Sequence, residues 1–178
     1  MCENHEASPE HKAEYLRRTT PYTHPKTILA LDLGTKTGWA LTEFRKISSG
    51  SEDFKATRFQ SADRRFVNFK DWLNKTRDKT LLGRIDVVYF EEVRRHIGVD
   101  AAHCYGGFKA ILTTFCQENG ISFQGMAVGT IKKYITGNGA AKKDKVIAAV
   151  RDLGYNPKDD NEADAISLLL AAIAGAKD

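Results

Sequence analysis

At 178 residues the chain has the length of one domain and can bury a sizeable core; its 42% hydrophobic and 28% charged residues are ordinary for a soluble globular protein. A net charge of +4 and an isoelectric point near 8.9 point weakly to a polyanionic partner. The three cysteines (Cys2, Cys104 and Cys116) are odd in number and lack CxxC spacing, so they suggest neither a disulfide scaffold nor a zinc knuckle, and a reducing, cytoplasmic setting is expected. No apolar run approaches membrane-spanning length, and the first residues lack a signal peptide's apolar region.

Residues 1–26 are polar, carry Pro21 and Pro25, and show no sustained periodicity, which predicts a flexible arm ahead of a domain over 27–178. The apolar run Ile28 to Leu31 predicts a buried strand, and Trp39 to Leu41 its hairpin partner across Gly34 and Gly38. Residues 47–59 are turn-rich and predict a third, edge-like strand. Phe66, Phe69 and Leu73 mark a helix over 62–79. A second buried strand is expected over 86–93 (DVVYFEEV). A helix over about 100–119 follows, with Ala101, Tyr105, Phe108, Leu112 and Phe115 on one stripe. Gly106 and Gly107 inside it are either tolerated flaws or a place of close backbone contact. A strand over 121–128, helices over 130–136 and 142–153 joined by Gly137, Asn138 and Gly139, and a last helix over 162–174 complete the chain. The order predicts an α/β fold with a mixed sheet, antiparallel at its start and parallel where helices cross over.

Each of three apolar elements delivers a carboxylate. Asp32 ends the first strand, and Glu91 or Glu92 ends the second buried one; strand alternation puts these two glutamates on opposite faces. Asp164 lies beside the apolar stripe of the last helix (Ala165, Leu168, Leu169, Ala172), with Asp160 and Asn161 about one turn earlier. Asn161 and Asp164 could alternatively serve as a capping pair for that helix. Converging acids repel one another, and a hard divalent cation such as Mg2+ relieves the repulsion; with no thiolates or paired histidines in the set, zinc is disfavoured. Paired ions of this type support phosphodiester hydrolysis. The segment 129–151 supplies Lys132, Lys133, Lys142, Lys143, Lys145 and Arg151 against Asp144 alone, a pattern suited to nucleic-acid phosphates or, alternatively, to a solvated helix face. Arg94 and Arg95 are further phosphate-contact candidates, and His96 is read as a surface residue.

These motifs together resemble the RuvC-type Holliday-junction resolvases, in the form carried by phages and prophages, within the ribonuclease H-like superfamily. LDLGTKTGWA resembles the first catalytic strand, FEEVRRHIGVDAAHCYGGF the second acidic strand with the helix behind it, and TIKKYITGNGAAKKDKV the DNA-contacting segment. The resemblance implies a ribonuclease H-like fold and metal ligation by Asp32, Glu91 and Asp164. It favours Glu91 over Glu92 by the interval to Gly106, and it implies functional roles for Lys132 and Lys143. Where the family usually has an acid or histidine three residues before its last acid, this chain has Asn161; either Asn161 ligates through its amide oxygen or Asp160 takes its place. Arg94 and Arg95 stand where an aromatic wedge is often found. The implied activity is paired nicking of a four-way DNA junction by a homodimer with two Mg2+ ions per site, Mn2+ being an alternative. Part of the dimer contact is expected on the helix bearing Ala101, Ala102, Gly106 and Gly107.

Three other functions share some of these features. A related nuclease of this fold could act on flaps, other branched DNA or RNA–DNA hybrids, and a junction-binding module could lack catalysis altogether. DLGTKTG also resembles a phosphate loop of sugar kinases and actin-like ATPases, whose second lobe 178 residues cannot easily supply.

Overall fold

The computed structural model describes residues 26–93 and 98–175. The predicted arm therefore lies, apart from Lys26, outside the described residues, as do Arg94, Arg95 and His96.

Strands β1 (Ile28–Asp32), β2 (Lys36–Glu43), β3 (Lys46–Asp53), β4 (Val87–Glu92) and β5 (Ser122–Ala127) form one sheet in the order β3-β2-β1-β4-β5. The pairs β1–β2 and β2–β3 are antiparallel, whereas β1–β4 and β4–β5 are parallel. The helices are α1 (Arg64–Lys79), α2 (Val99–Glu118), α3 (Val128–Thr136), α4 (Lys143–Asp152) and α5 (Asp160–Ile173). The mixed sheet expected from the element order is thus observed. Strand β3 lies within the turn-rich stretch expected to carry it and stops at Asp53, where Phe54 turns into the core and its N–H donates to the Thr35 carbonyl at 2.8 Å.

Alternation along the strands sorts the core into two layers. Leu29, Leu31, Val88 and Phe90 pack against Phe69 and Leu73 of α1 and against Tyr105, Phe108, Leu112 and Phe115 of α2. Ile28, Ala30, Val87, Tyr89 and Met126 pack on the other face, against Ile131 and Ile135 of α3, Val146 and Val150 of α4, and the apolar residues of α5. Helix α5 is buried on nearly every side, far beyond the single stripe the sequence suggested.

Two glycines allow close approach. Gly38, paired with Asp32 across the hairpin, lies against the main chain of Asn161: a Cβ there would meet the Asn161 carbonyl oxygen at 1.8 Å. Only a residue without a side chain lets the start of α5 descend onto β2 at that point. Gly107 of α2 meets the ring of Phe66, where a Cβ would fall 2.4 Å away, while Gly106 faces open space. Gly107 therefore serves the α1–α2 contact within the domain.

Candidate active site

Asp32 closes β1, and the parallel register pairs Ala30 with Tyr89 and Leu31 with Phe90. One step further along, Asp32 and Glu91 lie side by side. By strand alternation both belong to the face covered by α5, together with Ala30 and Tyr89. Glu92 belongs to the opposite face, where its carboxylate pairs with Lys109 at 3.1 Å. Tyr105 of α2 fixes the end of β4, its hydroxyl donating to the Glu91 carbonyl at 2.9 Å and accepting from the Val93 N–H at 3.3 Å.

The third acid comes from α5. The N-cap of this helix is Asp159, whose carboxylate accepts from the Glu162 N–H at 2.9 Å. This corrects the alternative in which Asn161 and Asp164 form a capping pair. The cap is set by partners remote in sequence: Ser51 donates to Asp159 at 2.6 Å and Lys36 pairs with it at 2.9 Å. Ser49 donates to the buried Glu162 at 2.7 Å, and Glu162 also accepts from the Lys158 N–H at 2.8 Å. Burial alone would push the Asp159 carboxyl up, but the bonds from Ser51, Glu162 and Lys36 hold it down at about 2. With the helix start pinned to β2 and β3, Asp164 is free of capping and turns toward the ends of β1 and β4.

Electrostatics show that the acids converge. The Asp32 carboxyl is raised well above the ordinary range by burial first, then by repulsion from Glu91 and Asp164. Glu91 is pushed up to about 7 by burial and by Asp164, with Lys132 and Lys143 acting in the opposite direction. Asp164 is raised by burial, again tempered by Lys132 and Lys143. Among the described residues, none donates a hydrogen bond to any of these three carboxylates. Asp160 differs: the Lys143 ammonium donates to it, which lowers the Asp160 carboxyl and raises Lys143.

The two lysines reach the acids because of how α3 and α4 are joined. Gly137 ends α3 in the left-handed region at φ +79°, and Gly139 abuts Gly129, where a Cβ would meet the Gly129 carbonyl oxygen at 2.9 Å. This folded-back connection seats Lys143 at the start of α4 beside the acids, with Lys132 on the adjoining helix. Lys132 is half-buried; Lys133, Lys142 and Lys143 are exposed. The site thus assembles Asp32, Glu91, Asp164, Asp160, Lys132 and Lys143. Lys133 and Lys142 flank it in sequence, and Asn161 contributes its main chain to the Gly38 contact.

Desolvated carboxylates that repel one another and have no donors among the described residues fit a divalent cation, and an all-oxygen set suits a hard ion. Among the described residues, no group of three His, Cys, Asp or Glu side chains is drawn tightly enough to hold an ion as it stands. The acids are in electrostatic reach of one another, and a ligand would have to draw them together. Sequence reasoning missed Asp159, Glu162, Ser49, Ser51, Lys36 and Tyr105. Of these only the Asp-x-x-Glu spacing of Asp159 and Glu162 carried a local signal.

The fold is similar to solved resolvase structures. Against the structure of Thermus thermophilus RuvC in complex with a Holliday junction substrate, the TM-score is 0.70 at 20% identity, covering 85% of this chain and 95% of that one. Against another Thermus thermophilus RuvC structure it is 0.66 at 19% identity, covering 84% and 97%. For the yeast mitochondrial Holliday junction resolvase it is 0.57 at 11% identity, covering 94% and 85%. No curated protein sequence matches the chain. Identities this low speak to the fold, but the sequence itself matches the family described as crossover junction endodeoxyribonuclease RuvC over residues 28–173, from the first strand to the last helix, and the chain belongs to that family.

Proposed function

We propose that the protein resolves four-way DNA junctions by metal-dependent hydrolysis of two phosphodiester bonds, using Mg2+ as its ion. The observation that carries this reading is the set of three half-buried carboxylates at one end of the sheet, desolvated and held above their ordinary range, bordered by two lysines. Family membership gives the junction as substrate.

Asp32, Glu91 and Asp164 are the residues that would hold the ions, with Asp160 as the fourth ligand. When bound, a pair of Mg2+ ions supplies an activated water and a stabilised leaving 3′ oxygen. The protein's own groups do the rest. Asp32 and Glu91, on neighbouring strands, form a rigid floor, and Asp164 approaches from a helix whose start is pinned to β2 and β3. Asp160, which pairs with Lys143, would be the group that adds to the ion's ligands, and Lys143 is the ammonium placed to orient the scissile phosphate. Lys132 offsets charge between Glu91 and Asp164 and binds the backbone nearby. Lys133 and Lys142, exposed beside them, extend the positive edge along the DNA, where such contacts give affinity without sequence readout. Arg94 and Arg95 follow the acidic strand and are assigned to phosphate contact on sequence alone. A homodimer suits the substrate, because a two-fold pair of sites matches a near-two-fold junction.

Cleavage of a synthetic four-way junction, beside duplex, flap and RNA–DNA hybrid and with or without Mg2+, tests the proposal. Paired symmetric nicks on the junction, dependent on Mg2+, are expected. Equal cleavage of flap or hybrid, or nicking in a chelator, contradicts it.

A further inference from the structure

The parallel register of β1 and β4 ends at Leu31–Phe90, one step short of Asp32 and Glu91. The two acids thus stand just past the last paired residues, and their spacing is left to contacts outside the ladder between these strands. Two adjacent residues of α2 supply such contacts, from the face of the sheet opposite the carboxylates.

Tyr105 holds the β4 side. Its ring is buried, and its hydroxyl bonds the Glu91 carbonyl and the Val93 N–H together, so one side-chain oxygen clasps the main chain on both sides of Glu92. Cys104 holds the β1 side. Its thiol lies 3.4 Å from the hydroxyl of Thr35, in the turn that follows Asp32. Arg65 Nη1 donates to both groups, to the hydroxyl at 3.3 Å and to the thiol at 3.5 Å. The guanidinium is itself anchored, its Nε donating to the Ala62 carbonyl at 2.7 Å. Neighbouring side chains of one helix therefore grip the chain at or just beyond each of the two acids. A residue that never touches an ion can still tune affinity for it, because the partners of the ligands fix the geometry in which those ligands meet the ion. Among the described residues the acids are not drawn tightly enough to hold an ion as they stand, so the affinity depends on where the two strand ends are held.

We propose that Tyr105 and Cys104 are positioning residues for the carboxylate pocket, setting the separation of Asp32 and Glu91 through the main chain and with it the affinity for a divalent cation. The inference rests on the reading of those acids as ion ligands. Calorimetric titration of the full, DNA-free chain with Mn2+ at pH 8, beside melting in EDTA, tests it. Tyr105→Phe keeps the ring and removes the hydroxyl; Cys104→Ala removes the thiol, and Cys104→Ser restores a hydrogen-bonding group. Thr80→Val is the control. Its buried hydroxyl donates to the Arg77 carbonyl at 2.8 Å and accepts from the Arg84 N–H at 2.8 Å, ahead of the other end of β4, so its loss destabilises the fold without touching the acids. The Mn2+ dissociation constant should rise about tenfold in Tyr105→Phe and in Cys104→Ala. It should return toward wild type in Cys104→Ser and stay there in Thr80→Val, although that variant melts lower. The Mg2+ concentration for half-maximal junction nicking by Tyr105→Phe should rise by the same factor, with the rate recovering at saturating Mg2+. Wild-type affinity in either Tyr105→Phe or Cys104→Ala, or equal weakening in Thr80→Val, overturns the proposal. Asp32→Asn separates the two readings. If it also binds Mn2+ as wild type does, the shared ion pocket fails and the brace with it; if it loses Mn2+ while Tyr105→Phe and Cys104→Ala keep it, only the brace is refuted.

Discussion

The carboxyl of Glu91 contributes a pH dependence of stability that one substitution should reduce, leaving the share that belongs to Asp32 and Asp164. Burial and the neighbouring Asp164 push this group from 4.5 up to about 7. The folded state therefore keeps a proton that the unfolded chain gives up, and the metal-free protein loses stability as the pH rises between those values. A shift of this size corresponds to about 3 kcal/mol at 1.36 kcal/mol per pH unit. Above pH 8 the cost is complete; below pH 4 it is absent. Glu91→Gln keeps the shape and cannot ionise, so in EDTA at pH 8 it should be more stable than wild type by up to about 3 kcal/mol. That corresponds to a melting temperature higher by roughly 5–10 °C for a domain of this length. At pH 4.5 the two proteins should melt together. Thermal or urea unfolding of both across this range measures the effect, and a nicking assay alongside should show the stabilised variant to be inactive. If Glu91→Gln is no more stable at pH 8 and retains the wild-type pH slope, Glu91 is not the repelled acid described above.

Other substitutions separate the parts of the site. Glu92→Gln, on the opposite face and paired with Lys109, should nick junctions within about threefold of wild type, since its loss removes only a surface ion pair of about 1 kcal/mol or less. Lys143→Ala should lower nicking by a factor on the order of 100 while stability changes by less than about 1 kcal/mol, because its bond to Asp160 is solvent-screened; single-turnover cleavage and calorimetry give the two quantities. Gly38→Ala drives a methyl group into the Asn161 carbonyl and should cost about 1–3 kcal/mol or more, with loss of nicking as the start of α5 is displaced. A melting curve at wild-type temperature would show that the contact is not tight.

How far the sequence disclosed this site varied from element to element. The apolar runs and their acids located β1, β4 and α5, and alternation placed Glu91 and Glu92 on opposite faces. Which face meets Asp32 depended on the parallel register of β1 and β4, a pairing between segments nearly sixty residues apart that no local pattern encodes. The cap of α5 escapes local patterning for a similar reason. The run Asp159, Asp160, Asn161 offers three good capping residues in succession, and the choice among them is made by Ser51, Ser49 and Lys36 from the other end of the chain. Gly38 reads locally as a hairpin glycine, yet its tightest constraint is the main chain of Asn161. Gly106 and Gly107, adjacent and alike in sequence, part company in three dimensions, one in open space and one beneath Phe66.

The claim on which the function rests is that Asp32, Glu91 and Asp164 serve one divalent-ion pocket. Calorimetric titration of the DNA-free protein with Mn2+ at pH 8, for wild type and for Asp32→Asn, Glu91→Gln and Asp164→Asn separately, addresses it directly. The predicted result is saturable binding by wild type, with protons released as the pH is lowered toward 7, and binding weakened in all three variants. Undiminished Mn2+ binding by any one of them would place that carboxylate outside the pocket and contradict the shared site.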